Sequence, residues 1–400
     1  MTVLLVGTLD TKGAEYAYLR ERLRLHGVET IVADAGVNPP VGIEPDLHVA
    51  AETGADPAAL AEAGDRGAAV TAMAEAAEKL AARLYGEGKI AGVLAAGGSG
   101  NTAIATRAMQ ALPVGAPKLM VSTVAAGNTV DYIGASDVTL MASVTDVAGV
   151  NTISARILAN AAAAMAGMVQ APPVELGEHR PLIGATMFGV TTPCVTHARE
   201  RLEGRGYEVL VFHATGTGGR AMEGLMESGF LSGVLDTTTT ELCDELVGGV
   251  FSAGPDRLEA AGRLGLPQVV SLGALDMVNF GPRETVPKEF DDRNLYVHNA
   301  QVTLMRTTPG ECAQLGREIG EKLSRATGPT ALFIPLRGVS MIAVEGGPFH
   351  DAAADEALFS SVRAASGPNV ELVELDLDVN DPAFAKAMVD KLDAYLAAAR

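Results

Sequence analysis

Tryptophan is absent from this 400-residue chain and aromatic residues make up only 4% of it, so it offers no stacking platform for nucleic-acid bases. Cysteine is nearly as scarce. Cys194, Cys243 and Cys312 are too few and too widely spaced for a disulfide scaffold or a thiolate zinc cluster, which fits a reducing cytoplasm. Basic residues are outnumbered, 30 Lys and Arg against 49 Asp and Glu, and the net charge is -19. No basic run is present, so broad neutralisation of a nucleic-acid backbone is excluded. A single nucleotide is not excluded, because backbone N–H groups supply an anion site whatever the global charge. Long apolar runs are also missing. The stretch "ILANAAAAMAGMVQAPP" is too short for a membrane span, and "VLLVG" near the start reads as a first strand rather than an export signal.

Glycine and small apolar residues are what the chain has in quantity: 45 Gly and 48% apolar residues point to a tightly packed α/β protein, long enough for two domains. One grammar recurs along the first half. Apolar runs at "TVLLVGTLD", "ETIVADAG", "IAGVLAAGG", "PKLMVSTVAAGN" and "DVTLMASV" alternate with helical stretches, one of them spanning about 57–85. This is the pattern of a mostly parallel sheet covered on both faces. Prolines and charge interrupt it at "QAPPVELGEHRP", Gln170 to Pro181, the best candidate linker. The grammar then restarts with "PLIGATMFG", "YEVLVFHATGTGG", "GVLDTTTTELCDEL" and "LPQVVSLGALD", and further strands are expected at "TALFIPL" and "VELVELDL". The expectation is two Rossmann-like domains, 1–175 and 181–400. The last strand and the helix from about Pro382 could pack on either.

Ligands of open parallel sheets lie beyond the carboxyl ends of the strands, and the polar residues gather there. Gly7, Thr8, Asp10, Thr11 and Lys12 follow the first strand. Lys12 could neutralise a phosphate, and Asp10 could hold a metal or orient a hydroxyl; a capped helix with a surface lysine is the plainer reading. Gly97, Gly98, Ser99, Gly100, Asn101 and Thr102 make a glycine turn before a helix whose free N–H groups suit an anion. It is neither a Walker A motif nor a GxGxxG fingerprint. Ser122, Thr123, Gly127, Asn128 and Thr129 form a third such loop, and Asp146 and Asn151 lie in a fourth.

In the second half, "FHATGTGGRAME" resembles an anion loop without the final glycine of the dinucleotide pattern. His213 there is an acid–base candidate or a structural histidine. His213, Asp236, Asp276 and His298 would form a metal or acid–base centre if they converged, with Arg306 close in sequence to the last. There is no HExxH motif and no GxSxG elbow, so no metal ligand set is assigned. Cys194 and His197 share a helix face, yet a buried structural cysteine is the simpler reading.

Taken as a set, "VGTLDTKG", "GGSGNT", "PKLMVSTVAAGNT", "MFGVTTPCV", "FHATGTGGRAME", "LDTTTTELCDELVGG" and "HNAQVTLMRTTPGE" resemble the UPF0261 family, from residue 3 to about residue 385. Its members are similar to the ATP-binding inhibitory domain of a tomato mosaic virus resistance protein. The resemblance implies ATP in the N-terminal domain, contacted by Gly7 to Lys12, Gly97 to Thr102 and Ser122 to Thr129, and a homodimer. A Mg²⁺ ion could bridge the phosphates. Three functions compete: an ATP-binding enzyme acting on a small polar or acidic metabolite at the interdomain cleft, a nucleotide-sensing module without turnover, and a nucleotide-independent lyase or hydrolase. Neither nucleic acid nor a membrane is expected as a partner.

Overall fold

The computed structural model describes residues 1–172, 174 and 180–398. Its internal contacts divide the chain into two units, Met1–Glu175 and Leu176–Arg400. The expected linker, Gln170 to Pro181, falls partly outside the described residues.

The first unit alternates strands and helices: β1 (Thr2–Gly7), α1 (Leu9–Leu25), β2 (Glu29–Asp34), β3 (Leu47–His48), α2 (Pro57–Ala63), α3 (Arg66–Gly86), β4 (Gly92–Gly97), α4 (Ser99–Gln110), β5 (Lys118–Ser122), α5 (Val130–Ile133), β6 (Thr139–Ala142) and α6 (Thr152–Gln170). All six strands run parallel in the order β3-β2-β1-β4-β5-β6. The central strands are almost wholly apolar because helices cover both faces. Leu4, Val6, Met73, Leu80, Ile104 and Met109 fill one face; Leu5, Leu9, Tyr16, Leu19, Leu158 and Met165 fill the other. Helix α6 is long and apolar enough to cross a membrane by composition, but here its Leu158, Ala162 and Met165 are buried against the sheet. From β1 the chain winds outward to β2 and β3, then returns past β1 to β4. The loops leaving β1 and β4 therefore diverge, opening a crevice at the reversal of strand order.

The single helical stretch expected over about 57–85 is two helices. Gly64, in a left-handed conformation, stops α2, and Asp65 caps α3 by accepting from the Ala68 amide at 3.0 Å. Helix α2 contributes no buried residue.

The second unit contains β7 (Leu182–Met187), α7 (Thr192–Gly204), β8 (Glu208–His213), α8 (Thr217–Glu227), β9 (Gly233–Thr238), α9 (Glu241–Val247), α10 (Ala260–Arg263), β10 (Gln268–Gly273), β11 (Met277–Phe280), β12 (Leu295–Asn299), β13 (Val302–Arg306), α11 (Pro309–Ser324), β14 (Thr330–Pro335), α12 (Ala352–Ala365), β15 (Val370–Leu375) and α13 (Pro382–Ala398). Its main sheet is again parallel, in the order β15-β14-β10-β9-β7-β8, so strand order reverses between β7 and β9. Strands β11, β13 and β12 form a separate antiparallel sheet, in a stretch where no strand was expected from the sequence. Helix α13 belongs to this unit: Phe384, Met388 and Leu392 pack with Ile183, Leu202 and Val269.

Candidate functional site

A cavity of about 700 Å³ occupies the crevice of the first unit. Thr8, Asp10, Thr11 and Lys12 line it from the start of α1, Gly36 and Asn38 from the loop after β2, and Gly98 to Asn101 from the start of α4. Thr123 and Asp146 reach it from loops farther along the sheet, while Leu60, Val70 and Met73 of α2 and α3, with Ile104 of α4, give an apolar wall. Helix α4 begins at Gly98 with no side-chain cap, and its first internal bond runs from the Thr102 amide to the Gly98 carbonyl. The N–H groups of its first turn thus lack helical acceptors and lie at the cavity. Helices α2, α3 and α6, by contrast, are capped by Asp56, Asp65 and Asn151.

A buried phenol sets the two strand-end loops against each other. Tyr16 Oη donates to the Val6 carbonyl at 2.6 Å and accepts from the Ala96 amide at 3.1 Å and from Asn101 Nδ2 at 2.9 Å. Asn101 Oδ1 in turn accepts from the Thr8 amide at 3.1 Å. Burial pushes the Tyr16 hydroxyl up to about 12, so it stays neutral. Asn101, singled out as a ligand contact, therefore has its side chain committed to holding the loops. The same is true of Thr102 and Ser122, whose buried hydroxyls bond each other at 2.7 Å. Gly7 and Gly97 end their strands and do not line the cavity; neither do Gly127, Asn128 and Thr129, and Asn128 borders a separate groove beside Thr106 and Tyr132. Lys12 lines the cavity with its ammonium donating to the Val147 carbonyl.

Candidates in the second unit are held differently. Asp236 is buried and receives both Nη atoms of Arg257, at 2.6 and 2.8 Å, and the Thr186 hydroxyl at 2.7 Å. Arg257 Nε donates to Glu241 at 2.7 Å, and Glu223 lies 3.6 Å away. Burial pushes Glu223 up to about 7 against the pull of Arg257. Asp276 is fully buried, accepts from the Ser340 hydroxyl at 2.7 Å, and is pushed up by that burial to about 6. Arg306 is paired with Asp355 at 2.6 Å. His213 packs edge-on to Phe188, and both it and His298 are exposed. No group of three or more His, Cys, Asp or Glu is placed to hold a metal among the described residues. Asp236 and Arg306 are parts of ion pairs, not members of one acid–base centre with His213 and His298. Cys194 is buried, and burial pushes its thiol up to about 12, which disarms it as a nucleophile.

The glycine turn before α8 is occupied from within. Glu241 Oε1 accepts from the Gly216 amide at 2.7 Å and the Gly219 amide at 3.0 Å. Gly219 has no room for a side chain, since a Cβ there would lie 2.2 Å from Glu241 Oε2. Glu241, near the end of "LDTTTTEL", is a polar strand-end residue by sequence, but its partnership with this turn and with Arg257 was missed because nothing local marks it. Sequence reading also missed Gly36 and Asn38, although "ADAGVN" ends β2 and the strand-end rule applies to it equally.

The Uncharacterised protein family (UPF0261) N-terminal domain matches residues 1–173 and its C-terminal domain residues 180–396. A UPF0261 protein of Clostridium tetani is 53% identical over 98% of this chain and 98% of its own length. The ToMV resistance protein Tm-1(GCR237) of Solanum lycopersicum is 45% identical over 81% of this chain and 44% of its own. Among solved structures, the UDP-GlcNAc 2-epimerase of Neisseria meningitidis, bound to UDP-GlcNAc, is 11% identical, with a TM-score of 0.24 over 68% of this chain and 82% of that one. So low a likeness has no bearing on the chemistry.

Proposed function

The chain belongs to the UPF0261 family, and from that premise we propose that its first unit binds an adenine nucleotide, ATP, in the cavity where β1 and β4 part. The carrying observation is the uncapped start of α4 opening on a cavity of about 700 Å³ at the reversal of strand order. That volume falls in the range of small-molecule sites, about 300–1,000 Å³. The amides of Gly98 to Asn101 suit phosphate oxygens, Lys12 supplies a cation once it leaves Val147, and the α2–α3 wall suits a base. Asp10, Asp65 and Asp146 line the same cavity against Lys12 and Arg66. A polyphosphate therefore enters best as its Mg²⁺ complex, with the ion held mainly by phosphate oxygens and water.

Two uses of the nucleotide follow. Action on a small polar or acidic metabolite is the enzymatic one, and sensing without turnover is the other. The ion pairs that engage Asp236 and Arg306 favour sensing. The homodimer goes with the family resemblance, and the cytoplasmic setting with the three scattered cysteines. Titration calorimetry of the full chain with ATP and Mg²⁺ tests the proposal. Saturable binding is expected, weakened about tenfold in Lys12→Ala. No heat at millimolar ATP rejects it, and ADP or AMP release with acidic metabolites separates the two uses.

A further inference from the structure

Sheets of this strand order that bind dinucleotides use an acid at the end of the second strand to hold the ribose hydroxyls. Here that residue is Asp34, and it is committed elsewhere. Its Oδ1 accepts from the Leu9 amide at 3.1 Å and the Gly36 amide at 2.8 Å; it is buried and does not line the cavity. A second carboxylate has come to the same place from the first turn of α1. Asp10 lines the cavity and lies across the end of β2, where a Cβ on Gly36 would stand 2.9 Å from its Cγ. Only a glycine at 36 leaves that space. Asn38 fixes the carboxylate, its amide N at 3.3 Å and its Nδ2 at 3.1 Å from Asp10 Oδ2. The other oxygen, Oδ1, is buried without a hydrogen-bond partner.

An ionised carboxylate has about four acceptor positions. Asp10 has two long donors on one oxygen and none on the other, so it is under-satisfied in the orientation its neighbours impose. We propose that Asp10 is the ribose-hydroxyl acceptor of this cavity, standing in for the acid at the end of β2, with Gly36 and Asn38 as its positioning residues. This rests on the nucleotide reading above and names one contact within it. A cation ligand is the competing role for the same carboxylate, and the test separates the two.

The experiment is a titration cycle on the full chain with ATP, 2′-deoxyATP and 3′-deoxyATP, each with and without Mg²⁺. The wild type is expected to prefer ATP over at least one deoxy analogue by about ten- to a hundredfold, the scale of a hydrogen bond to a charged acceptor. Asp10→Ala should weaken ATP to the level of that analogue while leaving the analogue's own affinity unchanged. Gly36→Ala, which keeps Asp10 but pushes it aside, should shrink the same preference. Melting curves establish that the variants fold. Should Asp10→Ala not fold, Asp10→Asn and Gly36→Ala carry the comparison. Equal weakening of ATP and both analogues, or loss of the Mg²⁺ dependence in Asp10→Ala, overturns the assignment and leaves nucleotide binding standing. Equal wild-type affinity for all three does the same. Absence of binding by any nucleotide overturns both.

Discussion

Two glycine turns, GGSGNT at 97–102 and GTGG at 216–219, each join a parallel strand to a helix at the carboxyl edge of a sheet. In the first unit the amides at the start of α4 meet a cavity. In the second, the amides of Gly216 and Gly219 meet the carboxylate of Glu241. A helix start that favours anions accepts either a ligand or a side chain. What separates the two turns is not their own sequence but one acid over twenty positions downstream, itself held by Arg257. The second unit carries an anion of its own where the first leaves room for one from outside.

Removing the cation that holds this internal anion breaks the comparison most severely. Arg257→Ala strands Asp236 and Glu241 in a dry interior, and urea unfolding should show a loss of about 3–5 kcal/mol; a loss below 1 kcal/mol would mean the carboxylates find water. Glu241→Ala is next, at about 2–4 kcal/mol, because two amides and Arg257 lose an acceptor together. If the turn is an occupied anion site, millimolar phosphate should raise the thermal midpoint of Glu241→Ala more than that of the wild type. Equal shifts would show that the loop does not survive empty.

The third test is of pH dependence. Burial pushes Asp244 from 3.8 up to about 7, against the donors of Asn279. The folded state therefore holds its proton more tightly than the unfolded chain does. Its contribution is fully present below about pH 4 and is lost as pH rises through about 7. Asp137 of the first unit is partly buried, but bonds from Lys118 and the Gly115 amide outweigh that burial and lower it, so its contribution has the opposite sign. Asp244→Asn should flatten the decline between about pH 4 and pH 7, as read from urea titrations at stepped pH. An unchanged slope would remove Asp244 from the account.

The strand–helix alternation was legible because apolar runs such as those of β1, β4 and β14 are buried on both faces and owe little to distant partners. Strand β12 was not, since "LYVHN" is mostly exposed and takes its form from pairing with β13. The loops of the candidate site could be read as a class, from glycines and hydroxyls at strand ends. Their division of labour could not. Asn101 and Thr102 belong to the same spelling as Ser99 and Gly100, yet their side chains bond Tyr16, the Thr8 amide and Ser122. Those partners are up to 93 positions away, a distance over which no local pattern carries information.

Helix α2 has one more consequence. It lines the cavity through Leu60 and Ala61 yet buries no residue of its own. Segments with so little buried surface detach at a free-energy cost far below that of global unfolding. This wall is therefore expected to open more readily than the sheet that holds the amide turn, and faster hydrogen exchange in α2 than in β4 is the sign of it.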